Sequence, residues 1–355
     1  MQADCCTQVV RGRVTAFTAW KTLHMISQQP EAVSYPDLLA AAKRLRGYAV
    51  KTPMLENPLV NELAGRRVLV KAESLQVTGA FKFRGAWSAL TQLDKQSQAR
   101  GVLTYSSGNH AQAVAYAARE LKVPAVIIMP ADAPELKLQN TRAYGAEVVL
   151  YDRQGGESRE QLGQELAAKR KLSLVRPYDH QYVIAGQGTC GLEIAEQAKT
   201  LGIKKADVLV CCGGGGLTAG IALALEELAN DYDVIPIEPE TGDDVCRSIK
   251  SGKREFNTGV PDSICDAIVT PSPGELTFPV IKRLCAFGIA VSDDDALRAM
   301  AIAMLRYKIV AEPGGAVALA AAIFSPESLR HDTVICVVSG GNVDPRLFAK
   351  ALQAD

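Results

Sequence analysis

The chain lacks a charge bias. Its 355 residues carry 39 Lys and Arg against 39 Asp and Glu. Nothing in that balance supplies the basic surface that nucleic acid or an anionic membrane would need. An apolar run long enough to span a bilayer is also missing. So is the apolar core of a signal peptide, because Arg11, Arg13 and Lys21 interrupt residues 1–30. These absences predict a cytoplasmic chain. No C-x-x-C pair occurs among Cys5, Cys6, Cys190, Cys211, Cys212, Cys246, Cys265, Cys285 and Cys336. Several stand in apolar runs and read as buried thiols in a reducing compartment, which argues against a disulfide framework or a zinc site. There is no internal repeat and no low-complexity stretch. Residues 1–32 match no element and read as a loose extension.

What is present is a large core and a regular alternation. Apolar residues make up 48% of the chain, and the length suits two domains or one α/β domain with an inserted lobe. From residue 101 the pattern is strand 101–105, loop 106–110, helix 111–121, strand 125–129, helix 135–144, strand 147–151, helix 158–169 and strand 173–175. Such alternation predicts a parallel sheet with helical crossovers. The same grammar resumes with helix 189–200, strand 207–212, helix 217–229, strand 234–237, strand 289–291, helix 293–307, helix 316–324 and strand 333–338. The expected fold class is α/β, with two lobes, each a mainly parallel twisted sheet flanked by helices. The larger lobe is expected to comprise 1–100 and 180–355, and the smaller 101–179.

Four loops could hold a ligand. Lys82 stands between Phe81 and Phe83 where an apolar strand gives way to a helix. Desolvation there would lower its pKa from the usual ~10.4 and leave a neutral, nucleophilic amine. A lysine snorkelling from an amphipathic helix is the plainer alternative. Gly213-Gly214-Gly215-Gly216 lies between a strand and a helix, where bare backbone N–H groups and a helix N-terminus can cradle a phosphate. Leu217-Thr218 stands where a nucleotide P-loop needs lysine. Ser106-Ser107-Gly108-Asn109-His110 offers hydroxyls, an amide and open N–H groups suited to a carboxylate. The loop 238–244 sets Glu238 and Asp244 either side of Gly242, an arrangement able to fold over a hard cation or simply to be a solvated acidic loop. A fifth stretch, Gly186 to Gly191, formally matches G-x-G-x-x-G. It leaves an NAD-dependent dehydrogenase as an alternative from another class, although Asp207 is a poor ribose acid.

Together these pieces resemble the fold-type II pyridoxal-phosphate enzymes (the tryptophan synthase β-like fold), in the threonine/serine dehydratase and serine racemase branch. The resemblance runs from about residue 36 to 342. It rests on 78–86, 106–110, 183–189, 213–216 and Ser339-Gly340-Gly341-Asn342. It implies pyridoxal 5'-phosphate carried as a Schiff base on Lys82, with Phe81 packed on the ring and Asn109 bonded to the 3′ oxygen. It further implies a phosphate held by Gly213, Gly214, Gly215 and Gly216, and Ser339 at the ring nitrogen. Ser106, Ser107, Asn109 and the His110 backbone would hold the substrate carboxylate, and Ser107 would be the acid/base on the opposite face in racemisation. Glu238, the Gly242 carbonyl and Asp244 match the branch's site for Mg²⁺ or Ca²⁺. The implied activity is β-elimination from a 3-hydroxy amino acid, L-threonine or L-serine, to a 2-oxo acid and ammonia. 3-Hydroxyaspartate ammonia-lyase and serine racemase are the alternatives, and a homo-oligomer, dimer or tetramer, is expected. Two departures bear on substrate choice. Cys265-Asp266-Ala267 replaces the usual Ala-Asp-Gly, and Arg176 stands where histidine is common, either a plain surface arginine, the expected case, or an extra cation for a second carboxylate.

Overall fold

The computed structural model describes residues 33–353 apart from 107, 134, 153 and 154. The expectations for residues 1–32, Cys5 and Cys6, and for Ser107 therefore lie outside the described residues.

Two sheets organise the chain. The first has six strands: β1 (Met54–Glu56), β2 (Arg67–Ala72), β7 (Ala206–Cys211), β8 (Tyr232–Pro239), β9 (Ile289–Val291) and β10 (Thr333–Val338). Their order is β1-β2-β10-β7-β8-β9. The second comprises β3 (Val102–Tyr105), β4 (Ala125–Pro130), β5 (Glu147–Tyr151) and β6 (Ser173–Leu174), in the order β5-β4-β3-β6. Every pairing among these strands is parallel except that of β1, a short antiparallel edge strand on β2. Strands β7 and β10 are apolar on both faces because helices cover both. Val208, Leu209, Val210, Ile335 and Val337 are fully buried. The loops that follow the parallel strands β2, β7, β8 and β10 open at their C-terminal ends, where open α/β sheets bind ligands.

Several elements differ from the sequence reading, each for a local reason. The helix Pro58–Ala64 was not expected. It is capped by the Asn57 side chain on Leu59 N–H, opened by Pro58 and closed by Gly65 in the left-handed region. The helices Asp244–Ser251, Thr277–Leu284 and Pro345–Ala351 were also not foreseen. The expected helix 293–307 is α-helical only over Asp293–Ile302, then widens into a π turn over Ala303–Tyr307. The G-x-G-x-x-G stretch is no loop at all, since it lies inside the helix Gln181–Thr200. Among the described residues, no helix is long and apolar enough to cross a membrane. The seven described cysteines are free thiols, all of them buried except the half-buried Cys246.

Candidate active site

Two of the sequence motifs are strapped together at the end of β10. Ala80 and Gly340 form an antiparallel bridge. The Phe81 N–H donates to the Ser339 carbonyl at 3.0 Å, and the Gly341 N–H to the Gly79 carbonyl at 2.9 Å. Asn342 Nδ2 donates to the Thr78 carbonyl at 2.8 Å and to Asn109 Oδ1 at 2.9 Å. Thr78, a β-branched residue, is held at φ 63 by this strap. The motifs around 78, 109 and 340 are thus one constellation in space.

Lys82 opens the helix Lys82–Leu90. Its Nζ donates to the Pro177 carbonyl at 3.1 Å and lies 5.0 Å from the centroid of the Phe81 ring. Burial lowers its pKa to about 8, partly opposed by Cys211 and Glu312. A useful fraction of neutral amine therefore exists near physiological pH. The helix that carries it is anchored two residues on by Arg84, which is buried and paired bidentately with Glu73 and with Glu193 at 2.7–2.9 Å.

The four glycines face the same cavity as Lys82. The first three have no room for a side chain, and Gly216 little. A Cβ on Gly213 would meet the Ile268 carbonyl at 2.5 Å, and one on Gly214 would enter the Tyr178 ring. Gly215 takes φ +87 and begins the helix Gly216–Leu228 without a side-chain cap. Its first N–H groups are therefore left for an anion. The Gly214 carbonyl is tied by Thr277 Oγ1 at 2.6 Å, which fixes the loop.

Across the cavity, the helix Asn109–Leu121 presents its N-terminus, and Ser106 Oγ accepts the Gly108 N–H at 3.2 Å. Asn109 is pinned on both sides, by Asn342 and by a short hydrogen bond from its Nδ2 to Glu312 Oε1. Glu312 is a buried carboxyl that sequence reasoning missed. Burial pushes its pKa up to about 7, and its Oε2 has no hydrogen-bond partner among the described residues. His110 is buried, with Nε2 3.3 Å from the Val175 carbonyl, and burial followed by the Lys82 charge holds it down to about 3. It is a neutral packing residue. Cys211 was read only as a buried thiol, yet it lines the cavity and its Sγ donates to Ser339 Oγ at 3.0 Å.

Glu238, near the end of β8, and Asp244, which opens the helix after it, are both buried. Glu238 accepts the N–H groups of Val245 and Cys246 at 3.0 and 2.7 Å. Burial, with Asp244 adding to it, pushes Glu238 up to about 8; burial also raises Asp244 to about 6. Asp244 Oδ1 accepts from Asn257 at 2.6 Å, and its Oδ2 is without a partner among the described residues. Such a pair suits a cation.

Arg176 is not in the Lys82 cavity. It is exposed and faces a depression that adjoins that cavity, the two having Tyr105, Arg159, Pro177 and Tyr178 in common. The cations that do line the cavity are Lys137, bonded to Asp266 at 3.2 Å, and Arg159. The G-x-G-x-x-G glycines serve helix packing. A Cβ on Gly188 would meet the Gly220 carbonyl at 2.8 Å, and one on Gly220 the Gly188 nitrogen at 2.5 Å. This close helix crossing leaves no dinucleotide turn.

A strand-end cavity with a buried amine, a glycine cup and an uncapped helix defines a class. Residues 45–340 match the model of the family described as pyridoxal-phosphate dependent enzyme, and the chain belongs to that family. It is 40% identical over 320 residues to a serine racemase of Schizosaccharomyces pombe, covering 90% of this chain and 97% of that one. It is 41% identical over 326 residues to an L-threo-3-hydroxyaspartate ammonia-lyase of Pseudomonas sp, covering 90% and 98%. A solved threonine deaminase of T.th. superposes with a TM-score of 0.80 at 40% identity, covering 88% and 99%. The structural neighbours are fold-type II enzymes. The cavity fits the family's cofactor: an amine of lowered pKa and a crowded glycine loop before an uncapped helix, able to take an anion, share one space.

Proposed function

We propose that this protein is an ammonia-lyase that removes the β-hydroxyl and the amino group of a 3-hydroxy amino acid, L-threonine or L-serine, to give a 2-oxo acid and ammonia. The observation that carries this reading is the Lys82 amine, lowered to about 8 and sharing one cavity with the Gly213–Gly216 cup. Bound pyridoxal phosphate supplies the electron sink for charge developing at the substrate Cα. Lys82 would anchor the cofactor, and its Nζ would take the α-proton of the bound substrate. That proton is then available to the departing hydroxyl, which leaves as water. The released enamine hydrolyses to the oxo acid and ammonia. Gly213 to Gly216 would hold the phosphate, and Phe81 and Asn109 would hold the ring. Ser106, Ser107, Asn109 and the His110 backbone orient the substrate carboxylate, and Ser107 is the group that would serve racemisation. Ser339 would be the partner of the ring nitrogen. A hydroxyl there does not hold the nitrogen protonated as a carboxylate would, which weakens the sink and favours prompt elimination over reprotonation.

A second reading, 3-hydroxyaspartate as substrate, draws on Lys137 and Arg159, two cations lining the same cavity. The test is 2-oxo acid release from L-threonine, L-serine, D-serine and the 3-hydroxyaspartates. Threonine or serine turnover within about tenfold of the best substrate, or ~1.4 kcal/mol, supports the first reading. A larger preference for a hydroxyaspartate supports the second. D-serine formed faster than pyruvate from L-serine would mean a racemase.

The same proposal places Mg²⁺ or Ca²⁺ on Glu238, the Gly242 carbonyl and Asp244, supported by the unpartnered Asp244 Oδ2. Chelation should lower the melting temperature and Mg²⁺ should restore it. An Asp244→Asn variant that responds identically would contradict this. The reading takes 101–179 as the smaller, substrate-side lobe and, on its free thiols, the cytoplasm as its location. It also takes the enzyme as a homo-oligomer. Exposed Leu59 and Leu63, on the helix that Asn57 ties to the Arg306 carbonyl beside exposed Leu305, support that assembly.

A further inference from the structure

The edge of the large sheet opposite the Lys82 cavity carries a second cluster. It lies at the N-terminal ends of the neighbouring strands β10, β7 and β8. One ligand atom each from Asp207, Asp233 and His331 lies within 4.8 Å of the other two. Asp207 and Asp233 are register partners on adjacent parallel strands, so their side chains project from the same face. Like charges set directly opposite one another destabilise a sheet unless something of opposite charge joins them.

Asp207 is fully buried. Its Oδ2 accepts the backbone N–H groups of Arg330 and His331 at 2.8 and 2.9 Å. Its Oδ1 is buried with no hydrogen-bond partner among the described residues. A buried carboxylate oxygen left unpaired costs free energy that a ligand would recover. Asp233 Oδ2 meets His331 Nε2 at 3.2 Å and the Arg330 guanidinium at 3.7 Å. The Arg330 charge offsets one carboxylate and touches neither oxygen of Asp207.

We propose that Asp207, Asp233 and His331 form a binding site for a divalent transition metal of the zinc class, clipping β10, β7 and β8 together. The donor set chooses the metal. One imidazole nitrogen with carboxylate oxygens suits Zn²⁺ and its neighbours. Mg²⁺ and Ca²⁺ prefer oxygen alone, which the Glu238–Asp244 pair offers instead. A metal bound only by the folded chain stabilises it by mass action. The site is remote from the glycine cup, so its loss should leave turnover intact.

The test uses chelator-treated, cofactor-loaded enzyme carrying Glu238→Gln and Asp244→Asn to silence the oxygen-only pair. Titration calorimetry with ZnCl₂ and thermal melts are then compared with and without Asp233→Asn or His331→Gln. Expected are one Zn²⁺ per chain, a raised melting temperature, and binding weakened at least about tenfold by either added substitution, with cofactor absorbance retained. Mg²⁺ should not substitute. Absence of saturable Zn²⁺ binding, or equal affinity in both added variants, as binding at thiols would give, would overturn the proposal.

Discussion

The Sγ of Cys211 lies 3.0 Å from the Oγ of Ser339, across the ends of the adjacent strands β7 and β10. Burial pushes the thiol up to about 11, so it remains S–H and donates to the serine oxygen. The serine proton is then left for another acceptor, the ring nitrogen on the proposed reading. Cys211→Ala should retain the cofactor, shift its absorption, and lower kcat about fivefold, the equivalent of one neutral hydrogen bond of ~1 kcal/mol. An unchanged cofactor spectrum would show that the thiol does not act through Ser339.

Glu312 should make stability depend on pH. Burial raises its carboxyl from 4.5 to about 7. Between those values the folded chain holds a proton that the unfolded chain has lost. The group's contribution therefore falls as pH rises from about 4.5 to 7. In urea melts of cofactor-free protein, Glu312→Gln should gain stability relative to wild type between pH 5 and pH 8. A difference that stays flat across that interval would mean the carboxyl titrates normally.

Arg84 holds the Lys82 helix to the rest of the site. Its guanidinium is shared by Glu73 and Glu193, and Glu193 also accepts from buried Lys71 at 2.6 Å. Arg84→Met would strand buried carboxylate charge and should cost about 3–5 kcal/mol in urea denaturation. A loss below ~1 kcal/mol would show that the pairs act like exposed ones.

Strand–loop–helix alternation was legible because each unit carries its own signals: an apolar run, a glycine-rich or polar loop, then a helical pattern. The glycine cup, the phenylalanine-flanked lysine and the 106–110 loop were readable for the same reason. Gly186 to Gly191 matched a dinucleotide turn only formally, since glycines that let helices cross closely have the same spacing as glycines that turn. Which use applies depends on Gly220, some thirty residues on. Glu312 and Cys211 were overlooked as parts of the site because their roles exist only through Asn109 and Ser339, distant in sequence. Arg176 is exposed, as a surface arginine would be, while Arg159 and Lys137, which line the Lys82 cavity, carried no local signal of it.

The central claim is that Lys82 carries the cofactor. Borohydride reduction of the purified holoenzyme, followed by peptide mass spectrometry, tests it directly. The account predicts a phosphopyridoxyl group on the peptide containing Lys82, and neither visible absorption nor adduct in Lys82→Ala. An adduct on Lys71 or Lys137, or a reduced wild-type protein with no modified lysine, would contradict it.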